Sequence, residues 1–292
     1  MTSSVIREFS YKLAGTSAER RPGAHQSRQS GPGMRFSSYA RLFDAPDPRR
    51  LDLRASLRDV RGDWLVRSYQ QPASLTIYTV VDISPSMRFG KPGKLRIAAD
   101  FLHSLAQSAS RYGDAVCLLP FDLVYRHDLF IPPQRHRALG ESLVTHLLQS
   151  TVSEITEKQQ TDKLRALVDT VKHVPHRNSL VFIVSDFHGP LEPLAEALKS
   201  LSASTVIPMV LWDRAEIEPP PANRFLQARE LVSTERLSVW LTEKKRREWL
   251  AKVEQRRDKL KTMFQRYHCA PMFIDRAFDA DAMTRHFFER VA

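Results

Sequence analysis

Apolar and polar positions follow two regimes along the chain, divided near residue 72. Beyond it, short apolar runs alternate with longer stretches of helical period. Leu75 to Val81, Ala115 to Pro120, Leu180 to Val184 and Val206 to Trp212 read as buried strands. They are near-continuous apolar runs, as in parallel strands covered on both faces. Between them, Lys94 to Arg111 carries Ile97, Phe101 and Leu105 at i, i+4 and i+8, one face of a helix. Arg137 to Leu148, Lys163 to His173 and Leu191 to Leu201 read as further helices. Glu218 to Ala222 is a proline loop, and Leu237 to Leu241 reads as a short edge strand. Glu243 to Tyr267 is a long helix with Trp249, Val253, Leu260 and Phe264 on one face. Met272 to Ile274 is a last strand and Ala280 to Val291 a closing helix. This series predicts an α/β domain over residues 72–292, its mostly parallel sheet covered by helices on both faces.

Before residue 72 the periodicity fades. Residues 1–22 read as a flexible basic arm. Gly23 to Gly33 is rich in Gly, Ser and Pro, which is loop chemistry. Residues 23–71 form an Arg-rich module in which Trp64, Leu65 and Val66 predict a short strand. That is too little apolar surface for a core of its own.

The 292 residues leave room for one such domain plus the small module. No apolar run approaches the roughly 20 residues of a membrane span. Met1 to Gly15 lacks the apolar core of a signal peptide, so the expected compartment is the cytoplasm. Cys117, in an apolar run, and the distant Cys269 read as reduced structural thiols.

The net charge of +11 is unevenly placed. Residues 1–70 hold 13 Lys/Arg against 7 Asp/Glu, and residues 241–267 hold 10 against 4. The remainder is near neutral. The two basic segments suit an acidic protein, nucleic acid or lipid headgroups, or are simply a solvated helix face and arm.

The chemistry concentrates at strand ends. The first apolar run drives into Asp82-Ile-Ser84-Pro-Ser86, one carboxylate and two hydroxyls at alternate positions. Val181-Phe-Ile-Val-Ser185-Asp186 ends another run in the same way. In open α/β sheets ligands bind beyond the carboxyl ends of strands, so the two carboxylates are expected at one edge. An oxygen-only set favours Mg²⁺ or Mn²⁺ over Zn²⁺. With only two acidic groups the ion keeps surplus positive charge, which a partner's carboxylate could complete. The competing reading is structural: Asp and Ser often cap helices.

With Asp82, Ser84 and Ser86, and with Asp186 at a later strand end, the chain resembles the von Willebrand factor A superfamily and its metal-ion-dependent adhesion site. The resemblance implies a Rossmann-like α/β fold and adds a Thr to the ligand set. Thr161 is the candidate, with Thr151 and Thr156 as rivals. It further implies that the serines and the Thr face the metal directly, while Asp82 and Asp186 often act through water. Gly23-x-His25-x-Ser27-Arg28-x-Ser30-Gly31-x-Gly33, then Arg49-Arg50-Leu51-Asp52-Leu53-Arg54-Ala55-Ser56, then Asp82 to Gly90 resemble one bacterial branch of unknown function. Its members are typically encoded beside MoxR-type AAA+ ATPases, which makes such an ATPase the expected partner. The chain departs from that branch at Leu53, where relatives usually carry Trp. It departs again at Ala45-Pro46-Asp47-Pro48, where they tend to carry Pro-Gly-Asp-Asp.

Other motifs carry less. Arg61-Gly62-Asp63 is a chance tripeptide, and Gly90-Lys-Pro-Gly-Lys94 lacks the full phosphate-loop pattern. His25 and His188 read as surface histidines, the second close to Asp186, and Trp249 reads as core. No general base or oxyanion loop is evident, so the expectation is a non-catalytic, metal-dependent protein-interaction module. Two alternatives stand beside it. Asp82 could accept a phosphoryl group, although Ser84 stands where such sites usually place a second acid. The basic segments could bind nucleic acid, which is not the expected partner.

Overall fold

The computed structural model describes residues 7–11, 30–70, 74–136, 138–150, 163–175, 179–229 and 236–289. Six strands form the central sheet: β3 (Thr76–Asp82), β4 (Ala115–Phe121), β5 (Ile131–Gln134), β6 (Leu180–Ser185), β7 (Thr205–Leu211) and β10 (Met272–Ile274). Their spatial order is β10-β7-β6-β3-β4-β5. All neighbours are parallel except β5, which runs antiparallel to β4. The mostly parallel α/β architecture predicted from the alternation is therefore observed.

Side chains alternate across the sheet, as strand geometry requires. Ile77, Val81, Leu180, Phe182 and Val184 enter one core with helices α2 (Lys94–Tyr112), α3 (Leu139–Gln149) and α8 (Ala280–Glu289). Val80, Val181 and Ile183 enter the other with α4 (Lys163–Val171), α5 (Leu191–Ser200) and α7 (Glu243–Arg266). Phe101 of α2 meets Phe182 edge-on, ring centroids 4.9 Å apart. Among the described residues no helix is long and apolar enough to cross a membrane.

The chain order reverses between β3 and β6. From β3 it passes to β4 on one side, then returns to β6 on the other. Such a switch point opens a crevice at the carboxyl ends of the two strands. The strand-end sequences around Asp82 and Asp186 lie there.

Three strands escape the sequence pattern. β1 (Ser30–Arg41) pairs antiparallel with β2 (Leu65–Gln70), although its first residues belong to the expected Gly23–Gly33 loop. Ladder hydrogen bonds override the local loop chemistry, and the register slips between Ser30 and Arg35, as at a bulge. β5 reads Ile-Pro-Pro-Gln, a composition that argues against a strand, but an edge position tolerates proline. The expected edge strand Leu237–Leu241 is β9 (Arg236–Leu241), and it does not join the main sheet. It forms a separate hairpin with β8 (Arg224–Arg229).

The expected flexible arm also needs correction at Arg7–Tyr11. Phe9 and Tyr11 are buried against α2 and α8, with Phe9 stacked on Phe101 and Phe287. The Tyr11 hydroxyl donates to Asp114, whose other oxygen accepts the Leu75 amide. Two aromatic rings, the Tyr11–Asp114 bond, and amide bonds from Phe9 to Ser108 and from Ser10 to Thr284 anchor a segment whose sequence shows no period.

Candidate metal centre

Asp82 ends β3 and lies opposite Ser185 of β6, since Val81 pairs with Val184 in the adjoining parallel strand. One Asp82 oxygen accepts the Ser84 amide at 2.9 Å, and the other accepts the Ser185 hydroxyl at 2.7 Å. Asp82, Ser185 and Asp186 are fully buried. Ser84 begins the 3-10 turn Pro85–Arg88, yet its side chain makes no capping bond. Its Oγ instead lies 3.1 Å from that of Ser86. α2 starts only at Lys94, behind Gly93. The Ser84 side chain therefore caps no helix: Asp82 closes the turn onto the Ser84 amide, and the two serine hydroxyls bond to each other.

Past β6 the chain turns sharply. Phe187 is held at φ 51, the left-handed region a bulky residue rarely adopts. Its amide donates to Ser185 Oγ at 3.0 Å, and the His188 amide donates to Asp186 Oδ1 at 3.0 Å. Trp212 Nε1 donates to the Asp186 carbonyl at 2.8 Å. This turn fixes both Ser185 and Asp186 at the crevice.

Two participants lie outside the set read from sequence. Lys94, fully buried, donates to Asp186 Oδ2 at 3.1 Å and to Glu216 Oε1 at 2.7 Å. Glu216 belongs to α6 (Arg214–Ile217), where it closes a capping box by accepting the Asp213 amide at 2.9 Å. Asp213 in turn abuts Gly90, where a Cβ would fall 2.1 Å from Asp213 Oδ2. Only glycine lets this loop approach so closely. Burial raises the Glu216 carboxyl, but nearby His188, 3.8 Å away, and the Lys94 charge outweigh it and hold the group below its usual range. A signal for Lys94 exists in the sequence. It opens a helix, where a cation is disfavoured, and it falls on the apolar stripe with Ile97, Ala98 and Phe101.

The donor set fits a hard divalent cation. Two hydroxyl oxygens 3.1 Å apart match the edge, about 3 Å, of an octahedron with 2.0–2.1 Å bonds. Lys94 takes Asp186 Oδ2, so Asp186 suits an outer role through water. Among the described residues no three His, Cys, Asp or Glu side chains gather to hold a metal. Any ion here would rest on hydroxyls more than on charge. Thr161, Thr151, Thr156 and His25 lie outside the described residues. His188 is near the site, its ring stacked over Trp212 with centroids 5.9 Å apart. Trp249 is half-buried and donates to the Glu216 carbonyl at 2.8 Å.

The central, mostly parallel six-stranded sheet with helices around it defines a mixed α/β protein, an architecture consistent with a Rossmann- or von Willebrand A-like fold. A family profile described as "Protein of unknown function DUF58" matches residues 44–259, and the chain belongs to that family. Among solved structures it is similar to BatB from Bacteroides thetaiotaomicron, with 15% identity and a TM-score of 0.46, covering 75% of this chain and 98% of that one. It is also similar to an aerotolerance-related membrane protein from Bacteroides fragilis, with 17% identity, a TM-score of 0.43 and the same coverage. No curated protein matches the sequence.

Proposed function

We propose that the protein is a non-catalytic, divalent-metal-dependent interaction module. Ser84 and Ser86 would hold Mg²⁺ or Mn²⁺ directly, with Thr161 as third hydroxyl and Asp82 and Asp186 as outer carboxylates. The bound ion would supply positive charge in excess of its ligands, which a carboxylate from a protein partner completes. By the resemblance in the sequence, that partner is a MoxR-type AAA+ ATPase, which the module serves as a cytoplasmic adaptor in complex assembly or maturation.

The pair of converging hydroxyls at the switch point, beside buried Asp82, carries this reading. The test has two parts. Calorimetric titration with Mn²⁺ should show one site in the wild type and none in Asp82→Ala. Capture of the ATPase should require Mg²⁺ and fail in EDTA. Equal capture by wild type, Asp82→Ala and EDTA-treated protein would overturn the reading.

A further inference from the structure

The two halves of α7 are unequally used. In its C-terminal half, Leu260 and Phe264 are fully buried. In its N-terminal half, Trp249 and Val253 are only partly buried. Between that half and the metal crevice lies a cavity of about 580 Å³, within the usual range of ligand sites, roughly 300–1,000 Å³. Its inner wall is the Trp212–His188 stack with Ile217, and its helix wall is Trp249 and Val253.

The rim is charged. α7 contributes Lys245, Glu248, Lys252 and Arg256, which share one helix face with Trp249 and Val253. Glu248 is one turn from both lysines and offsets one of them. Glu216, the other lining carboxylate, shares the Lys94 ammonium with Asp186 and lies at the inner end of the cavity. Arg256 donates to the carbonyls of Phe187 and Gly189 and feels the Asp186 and Glu192 charges, so its guanidinium is held in place and partly offset. The cavity thus has an aromatic interior and an exposed rim on which Lys245 and Lys252 stand against Glu248, an excess of one positive charge. It adjoins the crevice through Glu216, Lys94 and Asp186.

We propose that this cavity receives an aromatic side chain flanked by carboxylates on a peptide segment of the partner. The ring packs among Trp212, His188 and Trp249, as edge-on and offset aromatic pairs do. The flanking carboxylates meet Lys245, Lys252 and Arg256. This deepens the interaction reading and rests on it. The metal crevice takes one acidic group, and the cavity next to it reads the residues beside that group.

The test is titration of the protein with acetyl-Glu-Phe-Glu-amide, followed by calorimetry and by tryptophan emission. Acetyl-Lys-Phe-Lys-amide, acetyl-Glu-Ala-Glu-amide and phenylacetate serve as comparison probes. The acidic aromatic peptide should saturate at about millimolar concentration or below, the weak end of specific affinity. The basic and alanine peptides should bind at least tenfold more weakly, and Lys245→Glu/Lys252→Glu should lose binding. Those lysines are exposed, so the variant is expected to fold, and circular dichroism checks it. Equal binding of acidic and basic peptides, no saturation, or binding unchanged in the double variant would overturn the proposal. Phenylacetate binding as tightly as the peptide would make the cavity a small-molecule site and overturn it also. Peptide binding in EDTA with no Mn²⁺ site would sink the metal reading alone. A Mn²⁺ site without peptide binding would sink only the cavity.

Discussion

The central sheet and the N-terminal hairpin module solve burial in opposite ways. Around β3, β4 and β6 the interior is apolar on both faces, and polar groups enter only where a partner waits for them. In the module formed by β1, β2 and the short helix α1 (Leu53–Ser56), the buried residues among those described are Asp52, Ser56 and Val66. Two of the three are polar. Asp52 accepts from the Ala55 amide, the Tyr39 hydroxyl and the Arg67 guanidinium, while the Ser56 hydroxyl bridges Asp52 and Leu65. Phe43, Leu57 and Val60 stay exposed. The module is thus held by a hydrogen-bond network where the sheet is held by packing. One should answer to cavities and the other to protons.

The largest effect is expected in the sheet. Phe182→Ala removes a ring packed on Phe101 and Phe287 and should cost about 3–5 kcal/mol in chemical denaturation. A loss under about 1 kcal/mol would mean that the sheet is not the packed core described here. Close behind comes Lys94→Met, which leaves the buried Asp186 carboxylate without its ammonium. Breaking a buried pair from one side costs about 3 kcal/mol or more. Retained stability would show that other groups neutralise Asp186.

An intermediate effect belongs to the docked N-terminal segment. Tyr11→Phe removes a hydroxyl bonded to Asp114 and should cost about 1–2 kcal/mol. Burial, then the Asp114 charge, push the Tyr11 phenol well above its ordinary range. A raised phenol favours the folded state below the unfolded pKa and loses that advantage as pH rises beyond it. The wild type should therefore weaken at strongly alkaline pH more steeply than Tyr11→Phe, as followed by thermal melts. Parallel alkaline limbs would contradict the buried bond.

Much of the sheet was legible because burial on two faces writes near-continuous apolar runs, and the helices because their stripes repeat. Asp82, Ser84, Ser86 and Asp186 were legible as strand-end polar residues after such runs. What escaped was set by partners distant in sequence. Lys94 and Glu216 are 122 positions apart and meet only because the Gly90 loop and the α6 cap are pressed together. Phe9 and Tyr11 sit in a segment with no period, and their burial depends on a groove made by α2 and α8. β5 and β8 owe their strand state to ladder bonds, which Ile-Pro-Pro-Gln and Arg-Phe-Leu-Gln-Ala-Arg do not announce. The cavity beside α7 was hidden for the same reason, since Trp249 reads as core by spacing and only the tertiary arrangement holds it off.

The smallest global effect, and the sharpest contrast, concerns Asp52. Its carboxyl is lowered to about 2, first by the Ala55 amide and then by the Arg67 guanidinium. A depressed carboxylate contributes stability that is present above the unfolded pKa, near 4, and is lost as pH falls through the folded value. Acid should therefore loosen the module between about pH 4 and pH 2, while Asp52→Asn should loosen it already at neutral pH. Amide exchange at Ala55 and Leu65 reads the first region, and exchange at Val80 and Ile183 reads the second. In the variant the first pair should exchange faster and the second should hold its protection, because nothing in the sheet depends on that carboxylate. Equal acceleration in both places would mean that module and sheet unfold as one unit, and that the polar network around Asp52 is coupled to the apolar core.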